Sequence, residues 1–448
     1  MSSFNVPLDI FGQNPRLSRL YTQLCFCFQL SDDATCVDDT IHHLERGLDK
    51  FSTKFPWVSG KVVRTDGRIF SIVPYNKTPP LFVSDKRNEL PNFEEYKASG
   101  FPFKWLDEMD IASHSTLPDG RSELAPVVAL QATFIVGGLL LVISAQHNCM
   151  DMAGQSEMIR LFAKVCSNTV PLTDHEIRIG NSEREHIIPL LEDLWTESKD
   201  QKTKIRQQPV GREETVVTTQ SRSIWSYFLF STVDSSAIKS VAEKTMHTEF
   251  ISTDDALCAF IWKQFVGSVK KQAYSLPEYS TFERQVDVRK QLGLPKAYPG
   301  NAVYKTSTTL PIETVLSMPL GYLASELRAS LSPTPDLGYK ARKDATILHH
   351  KLQTENTETR SVTRGTIPPF DIKMSSWAKE ECCNFDFGGP LGKPEAVRRP
   401  SFKSWPGLAY LMPKGRDGEI VAALCLNEID TKNLAQDKEF IRFGRYVG

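Results

Sequence analysis

Residues Pro126 to Cys166 read PVVALQATFIVGGLLLVISAQHNCMDMAGQSEMIRLFAKVC, and the fold can be worked out from this stretch. Two apolar runs, Val127–Val136 and Leu139–Ser144, flank Gly137-Gly138 and predict a β-hairpin on a two-residue turn. The second run delivers His147, and Asp151 follows four residues later. Beyond Gly154 the period changes, with Met158, Ile159, Phe162, Val165 and Cys166 on one helical face. A histidine thus sits where a buried strand ends and a helix begins, the strand end at which α/β sites gather.

Outward from this hairpin, the first half mixes strands and helices. Tyr21–Leu30 is a strand with Thr22, Leu24, Phe26, Phe28 and Leu30 on one face. Ala34 to Lys54 is a helix, because Val37, Ile41, Leu44, Leu48, Phe51 and Phe55 recur at three- and four-residue steps until Pro56. Strands Gly60–Arg64 and Arg68–Val73 surround the turn signal Asp66-Gly67, whereas Pro74–Asp119 shows no period. Ser182–Leu194 is expected to contain a further helix. Thr196–Ser223 is almost devoid of large apolar residues, which predicts a linker at 196–223 between domains at 1–195 and 224–448, with a long surface loop inside one domain as the plain alternative.

The second half repeats this grammar. A strand at Ile224–Ser231 leads to a helix at Ser235–Thr245. Ser252 then reads as the N-cap of a buried helix, with Asp255 at its third position. Strands follow at Phe282–Val288 and Val303–Leu310, helices at Pro319–Leu331 and Leu337–Leu352. Late strands at Ile372–Trp377, Gly407–Met412 and Glu419–Leu426, with a turn at Asp417-Gly418, precede a final helix at Thr431–Tyr446. Two such halves indicate an α/β (or α+β, mixed-sheet) protein of two related domains, with a ligand cleft between them.

Composition narrows the function. The formal charge of -1 argues against a dedicated nucleic-acid binder. Nine scattered cysteines without a CxxC pair argue against a zinc site or disulfide framework and favour a reducing compartment. The N-terminus MSSFNVPLDIFG lacks a secretory signal, and no apolar run approaches the roughly 20 residues that span a bilayer, so a cytoplasmic location is expected.

A lone histidine after an apolar strand is commonly a packed residue, and local pattern alone leaves that reading open beside a catalytic one. The following helix aims its positive end at His147, which disfavours imidazolium and suits a general base. Asp151 either caps that helix or pairs with a distant cation. Cys149, between them, reads as buried filler, with no cation beside it to stabilise a thiolate. No GxSxG, GxGxxG or complete P-loop is present.

Taken together, the boxes resemble a known family. His147–Asp151 (HNCMD), preceded by Phe134–Gly138 (FIVGG), resembles the HxxxD region of the BAHD acyltransferases. Phe55–Lys61 (FPWVSGK), Val286–Arg289 (VDVR) with Tyr298–Ala302 (YPGNA), and Pro319–Leu331 resemble further family segments in the same order. Ser375–Trp377 (SSW) and Asp386–Glu395 (DFGGPLGKPE) resemble its TSW and DFGWG motifs. The likeness is greatest to the fungal branch containing the trichothecene 3-O-acetyltransferases, through Met152–Gln155 and the ISTDDAL and LGKPE runs. Two departures are Met152, where most members have Gly, and Gly389-Pro390, where the DFGWG motif has its Trp-Gly.

The resemblance implies a chloramphenicol-acetyltransferase-like, two-domain architecture with the active site in a channel between the domains. It implies transfer of acetyl from acetyl-CoA to a hydroxyl of a small fungal metabolite, a trichothecene-like sesquiterpenoid or an alkaloid. His147 would be the base, and Asp151 would turn away to pair with Arg289. Ser252, Asp287, Ser375, Ser376, Trp377 and Phe387 match positions near the coenzyme, while Asp386 and Gly388 support a late loop. Their plain alternatives are a helix cap for Ser252, strand surface, and core packing. No metal is required, and a monomer without nucleic-acid or membrane partners is expected. Rival readings are acyl transfer to an amine, as in condensation domains (which commonly carry His where this chain has Gln146), and a non-catalytic metabolite-binding homologue.

Overall fold

A computed structural model describes residues 4–65, 69–117, 125–191, 222–271, 276–332, 335–354 and 366–448. All nine residues of strand Gly138–Gln146 are buried. Its unbroken apolar sequence follows from its place inside a sheet covered on both faces. That sheet has five strands in the order Ala396–Arg398, Tyr21–Gln29, Gly138–Gln146, Val128–Ile135 and Leu81–Asp85. The hairpin turns one residue earlier than its glycine pair suggests. Ile135 pairs with Gly138, so the turn residues are Val136 and Gly137, the latter at φ +75°. Positive φ at the second turn position is what glycine supplies there. Gly138 answers a different need, close packing against Phe93 and the Phe28 carbonyl.

Helices Ala34–Lys54 and Met152–Ser167 belong to the same core as this sheet, with Phe51 and Phe162 rings 5.5 Å apart. The stretch without sequence period supplies strand Leu81–Asp85 and helix Phe93–Ala98. A small sheet of Val6–Pro7, Ile69–Val73 and Lys61–Thr65 completes this half.

The second sheet has seven strands, in the order Val303–Pro311, Tyr279–Asp287, Ile372–Ser376, Leu408–Leu411, Ile420–Asn427, Ser223–Phe230 and Arg445–Tyr446. Ile372–Ser376 runs parallel to both neighbours and the other pairings are antiparallel. The sheet is therefore mixed, as a two-domain α/β protein allows. Helix Thr253–Lys270 packs on it, where Trp262 donates its indole N–H to Ser280 Oγ at 2.8 Å.

Two expected elements differ. Within the described part of Ser182–Leu194, residues 182–191, there is no helix; the nearby helix is Asp174–Gly180, opened by a Thr173/Glu176 capping box, and 192–194 lie outside the described residues. The C-terminal helix is Glu428–Gln436, where Asp437 accepts the Glu439 and Phe440 N–H groups and turns the chain. Residues Arg445–Tyr446 then join the second sheet as an edge strand. The linker at 196–223 lies outside the described residues apart from its last two, as does the Asp66-Gly67 turn. Ala396–Arg398, far along the second half, pairs with Cys25–Cys27 in the first sheet. The chain therefore crosses back between the halves.

Gly138→Ala is expected to cost about 1–3 kcal/mol, the usual range for overpacking. Its Cβ would lie 2.3 Å from Phe93 Cδ2 and 2.8 Å from the Phe28 carbonyl oxygen. Urea unfolding measures the loss. Gly293→Ala is the control, since its Cβ would meet no atom within 4 Å and only its positive φ is strained.

Candidate active site

His147 follows the central strand directly. Its N–H donates to the Leu20 carbonyl at 2.6 Å, continuing the ladder past Gln146. The turn closes when the Cys149 N–H reaches the Gln146 carbonyl at 2.9 Å. From the other half, Asn301 Nδ2 donates to the carbonyls of His147 and Asn148, at 3.1 and 2.9 Å. The imidazole is half-buried. Its Nδ1 is enclosed without a hydrogen-bond partner among the described residues, which leaves Nε2 to meet a substrate. Burial holds the ring below the ordinary value of 6.5 and the Arg399 charge adds to that, against the upward pull of the His147 backbone, Asp151 and the Met150 backbone.

Asp151 caps helix Met152–Ser167, accepting the Gly154 N–H at 2.9 Å on Oδ1. Arg289 binds the same carboxylate with both ends of its fork, Nη2 to Oδ1 at 2.8 Å and Nη1 to Oδ2 at 3.0 Å. The Ala302 N–H adds a contact to Oδ2 at 2.8 Å. Every lone-pair position of Asp151 is committed, and none is directed at the imidazole. Arg289 is equally occupied. Its remaining donors go to the Tyr298 carbonyl (3.1 Å), the Gly300 carbonyl (2.8 Å) and Asp287 Oδ1 (3.0 Å). Both side chains are buried, and they tie the His147 turn to the start of strand Val303–Pro311.

Two supports escaped the sequence reading. Asp9 is fully buried and accepts from Gly12 N–H at 2.8 Å, Tyr298 Oη at 2.9 Å and Asn301 N–H at 2.9 Å. It thereby orients the asparagine that holds the His147 carbonyl. The signal was a lone acid in the otherwise apolar VPLDIFG. Arg184 lies over the Trp57 ring at 4.2 Å and donates to the Cys149 carbonyl at 2.5 Å. The FPWVSGK box thus braces the same turn. Cys149 itself is sealed, and burial pushes its thiol up to about 12.

The coenzyme candidates separate into groups. Ser252 forms a reciprocal capping box with Asp255. Ser376 donates to Asp254 Oδ1 at 2.5 Å, and Arg284 bridges Asp254 and Asp255, so these residues form one polar cluster at the helix N-terminus. Ser375 accepts the Trp377 indole N–H at 2.9 Å, and the Trp377 ring packs tilted against Tyr410, with centroids 4.7 Å apart. Asp287 is half-exposed and also holds the Arg289 N–H at 2.9 Å. Phe387 must be removed from the set. It has no exposed surface, and its ring packs on Phe26, Phe28 and Phe162 at 5.5, 5.4 and 6.0 Å, inside the first core. Asp386 is exposed and accepts the Gly388 N–H at 2.8 Å, bracing its own loop. Among the described residues, no group of three or more His, Cys, Asp or Glu side chains could hold a metal ion.

Residues 20–166 match the trichothecene 3-O-acetyltransferase-like N-terminal domain. The O-acetyltransferase dmxR13 of Cryptosporiopsis is 41% identical, covering 98% of this chain and 97% of the relative. Trichothecene 3-O-acetyltransferase TRI101 of Fusarium sporotrichioides is 36% identical, covering 100% of this chain and 98% of the relative. Its crystal structure with coenzyme A and T-2 superposes with a TM-score of 0.85 at 35% identity, covering both chains fully. Vinorine synthase shares the fold at a TM-score of 0.64 and 16% identity, covering 99% of this chain and 94% of that one.

Asp151→Asn and Arg289→Ala should each destabilise the protein by about 3–5 kcal/mol, the cost of stranding one half of a buried pair. The double variant should lose clearly less than the sum. Urea unfolding of all four proteins gives the coupling energy, and additive losses would show that the pair is energetically idle.

Proposed function

Because the chain belongs to the trichothecene 3-O-acetyltransferase-like branch of the BAHD acyltransferases, and so transfers acetyl from acetyl-CoA to a hydroxyl of a fungal secondary metabolite, we propose that His147 is its general base. Nε2 takes the acceptor hydroxyl's proton as that oxygen attacks the thioester carbonyl carbon. The tetrahedral oxyanion collapses, the carbon–sulfur bond breaks, and the imidazolium returns its proton to the departing coenzyme A sulfur. Both substrates must be bound together, because no acyl-enzyme forms. Cys149, the nearest thiol in sequence, is sealed and protonated.

The full commitment of Asp151 to Arg289, Gly154 and Ala302 is the observation that carries this reading. A carboxylate so used cannot relay a proton, so the base is a single histidine, held neutral by its partial burial. Ser252, Asp287, Ser375, Ser376 and Trp377 are proposed to line the coenzyme's seat. In support, the Ser375 and Ser376 side chains are partly exposed at the end of the strand that enters the second sheet's centre. The acceptor is proposed to be a rigid, oxygenated sesquiterpenoid or alkaloid alcohol, in line with the T-2 named in the Fusarium complex. A monomer in a cytoplasmic, reducing compartment completes the proposal, and nine free cysteines support the compartment.

His147→Ala is expected to lower kcat by about 10²- to 10⁴-fold, the usual contribution of a positioned base. Coenzyme A binding by calorimetry should be unchanged, and near-normal turnover would refute the mechanism. The protonated ring is inactive and its value lies below 6.5, so the acid limb of kcat/KM against pH should fall below pH 6.5. A limb at or above that pH would contradict a base held neutral in this way. Coenzyme A release with an amine but not with an alcohol would favour N-acylation instead.

A further inference from the structure

Arg399 lies between strand Ala396–Arg398 of the first sheet and strand Leu408–Leu411 of the second, and is only 2% exposed. The Tyr227 hydroxyl brackets its backbone, accepting its N–H at 2.8 Å and donating to its carbonyl at 2.9 Å. The guanidinium carbon lies 4.5 Å from the Phe402 ring centre, 4.8 Å from Tyr410 and 5.5 Å from Trp377. These three faces hold the cation by their π-density and themselves take up none of its in-plane N–H donors.

Arg289 uses all five donors, and Arg398 reaches Glu419. Among the described residues, Arg399 makes one long side-chain bond, Nη2 to Thr116 Oγ1 at 3.4 Å. Its Nε is buried without a partner among the described residues. The Glu108 carboxylate, which burial pushes up and the Arg399 charge pulls down, accepts the Thr116 N–H at 2.7 Å and so lies across Thr116 from the guanidinium without an ion-pair contact. Arg184 Nη2 and Arg398 Nε are also buried without a partner among the described residues, but each of those arginines makes a shorter bond through another nitrogen, to the Cys149 carbonyl at 2.5 Å and the Val397 carbonyl at 3.2 Å. A buried charge with spare donors is costly unless another group completes it. The location indicates which group. The Thr116 carbonyl accepts the Tyr21 N–H at 3.0 Å, and the adjacent Leu20 carbonyl accepts the His147 N–H at 2.6 Å. Arg399 is thus one strand step from the base.

We propose that Arg399 is an acceptor-recognition residue, whose free N–H donors bind a carbonyl or anionic oxygen of the metabolite beside the hydroxyl that reacts. The proposal rests on the acetyl-transfer reading above. It assigns the acceptor a feature that no part of that reading requires. The aromatic enclosure fixes the guanidinium plane, so only an oxygen at a set distance from the reacting hydroxyl can use it.

The test uses the full-length protein, acetyl-CoA and two acceptors, a β-hydroxy ketone and the same alcohol with its carbonyl replaced by methylene. The wild type should prefer the ketone by about tenfold or more in kcat/KM, the discrimination expected when a built donor loses its oxygen. Arg399→Met and Arg399→Gln, assayed on the alkaline plateau of the pH profile where His147 is neutral with or without the Arg399 charge, should erase that preference, with kcat/KM on the ketone falling to the level of the methylene acceptor. Arg399→Lys, which keeps the charge and is the milder change to the fold, should recover part of it. Wild-type turnover without preference, or equal loss on both acceptors in all three variants, overturns the role of Arg399 and leaves acetyl transfer standing. Wild type that turns over no alcohol at all removes the underlying reading, and the role of Arg399 with it.

Discussion

The structure depends on one buried ion pair, Asp151 with Arg289, which joins residues 138 positions apart. Two charges taken out of water lose several kcal/mol each in hydration, and mutual attraction alone rarely returns it. Here the deficit is met by hydrogen bonds. The carboxylate also takes two backbone N–H groups, and the guanidinium also takes two carbonyls and Asp287. Burial works against the arginine's charge, and Asp151 and Asp287 more than offset it. The pair also consumes the first-turn donor of helix Met152–Ser167, so the helix, the histidine turn and the YPGNA loop are fixed by a single set of bonds.

This pair is not the only bond between the halves. Asp9 at the start of the chain holds Tyr298 and Asn301, and Asn301 holds the His147 carbonyl. Strand Ala396–Arg398 extends the first sheet, and Phe385, Phe387 and Leu391 lie in the first core. Trp377, at the end of a strand of the second sheet, belongs to that same core. The halves are therefore threaded through one another at several points, and the base is positioned by residues from both. A catalytic turn held in this way needs no further ordering when substrates bind, which is how preorganisation lowers a barrier.

Most of the fold could be read where one face or both faces of an element are buried. Helix Ala34–Lys54 and the Ser252-capped helix lie where their apolar stripes and caps put them, because burial fixes that period. The hairpin register slipped by one residue because both glycines are needed, one for its φ and one for its lack of a side chain. The C-terminal segment misled because Ile441 and Phe443 keep a helical rhythm, yet the Asp437 side chain turns the chain before they can use it. At the site, His147, Asp151 and Arg289 were legible through ordered motifs. Asp9 and Arg184 were not, since their partners are distant carbonyls, hydroxyls and an aromatic face, which leave no local pattern.

The two departures from the family's boxes fall where the structure can absorb them. Met152 opens the helix after Asp151 and packs into the first core. The glycine that the junction needs is Gly154, whose Cβ would lie 2.2 Å from the Pro299 carbonyl oxygen. Closing that gap is what lets Tyr298 and Gly300 present their carbonyls to Arg289. At the late motif, a side chain on Gly389 would fall 2.7 Å from the His43 ring. His43 Nε2 already holds the Phe387 carbonyl at 2.8 Å, so the loop is anchored to helix Ala34–Lys54 without the motif's tryptophan. Both changes alter how the supporting segments pack while the bonds that aim His147 stay in place. The departures therefore provide no support for a chain that kept the fold and lost the reaction.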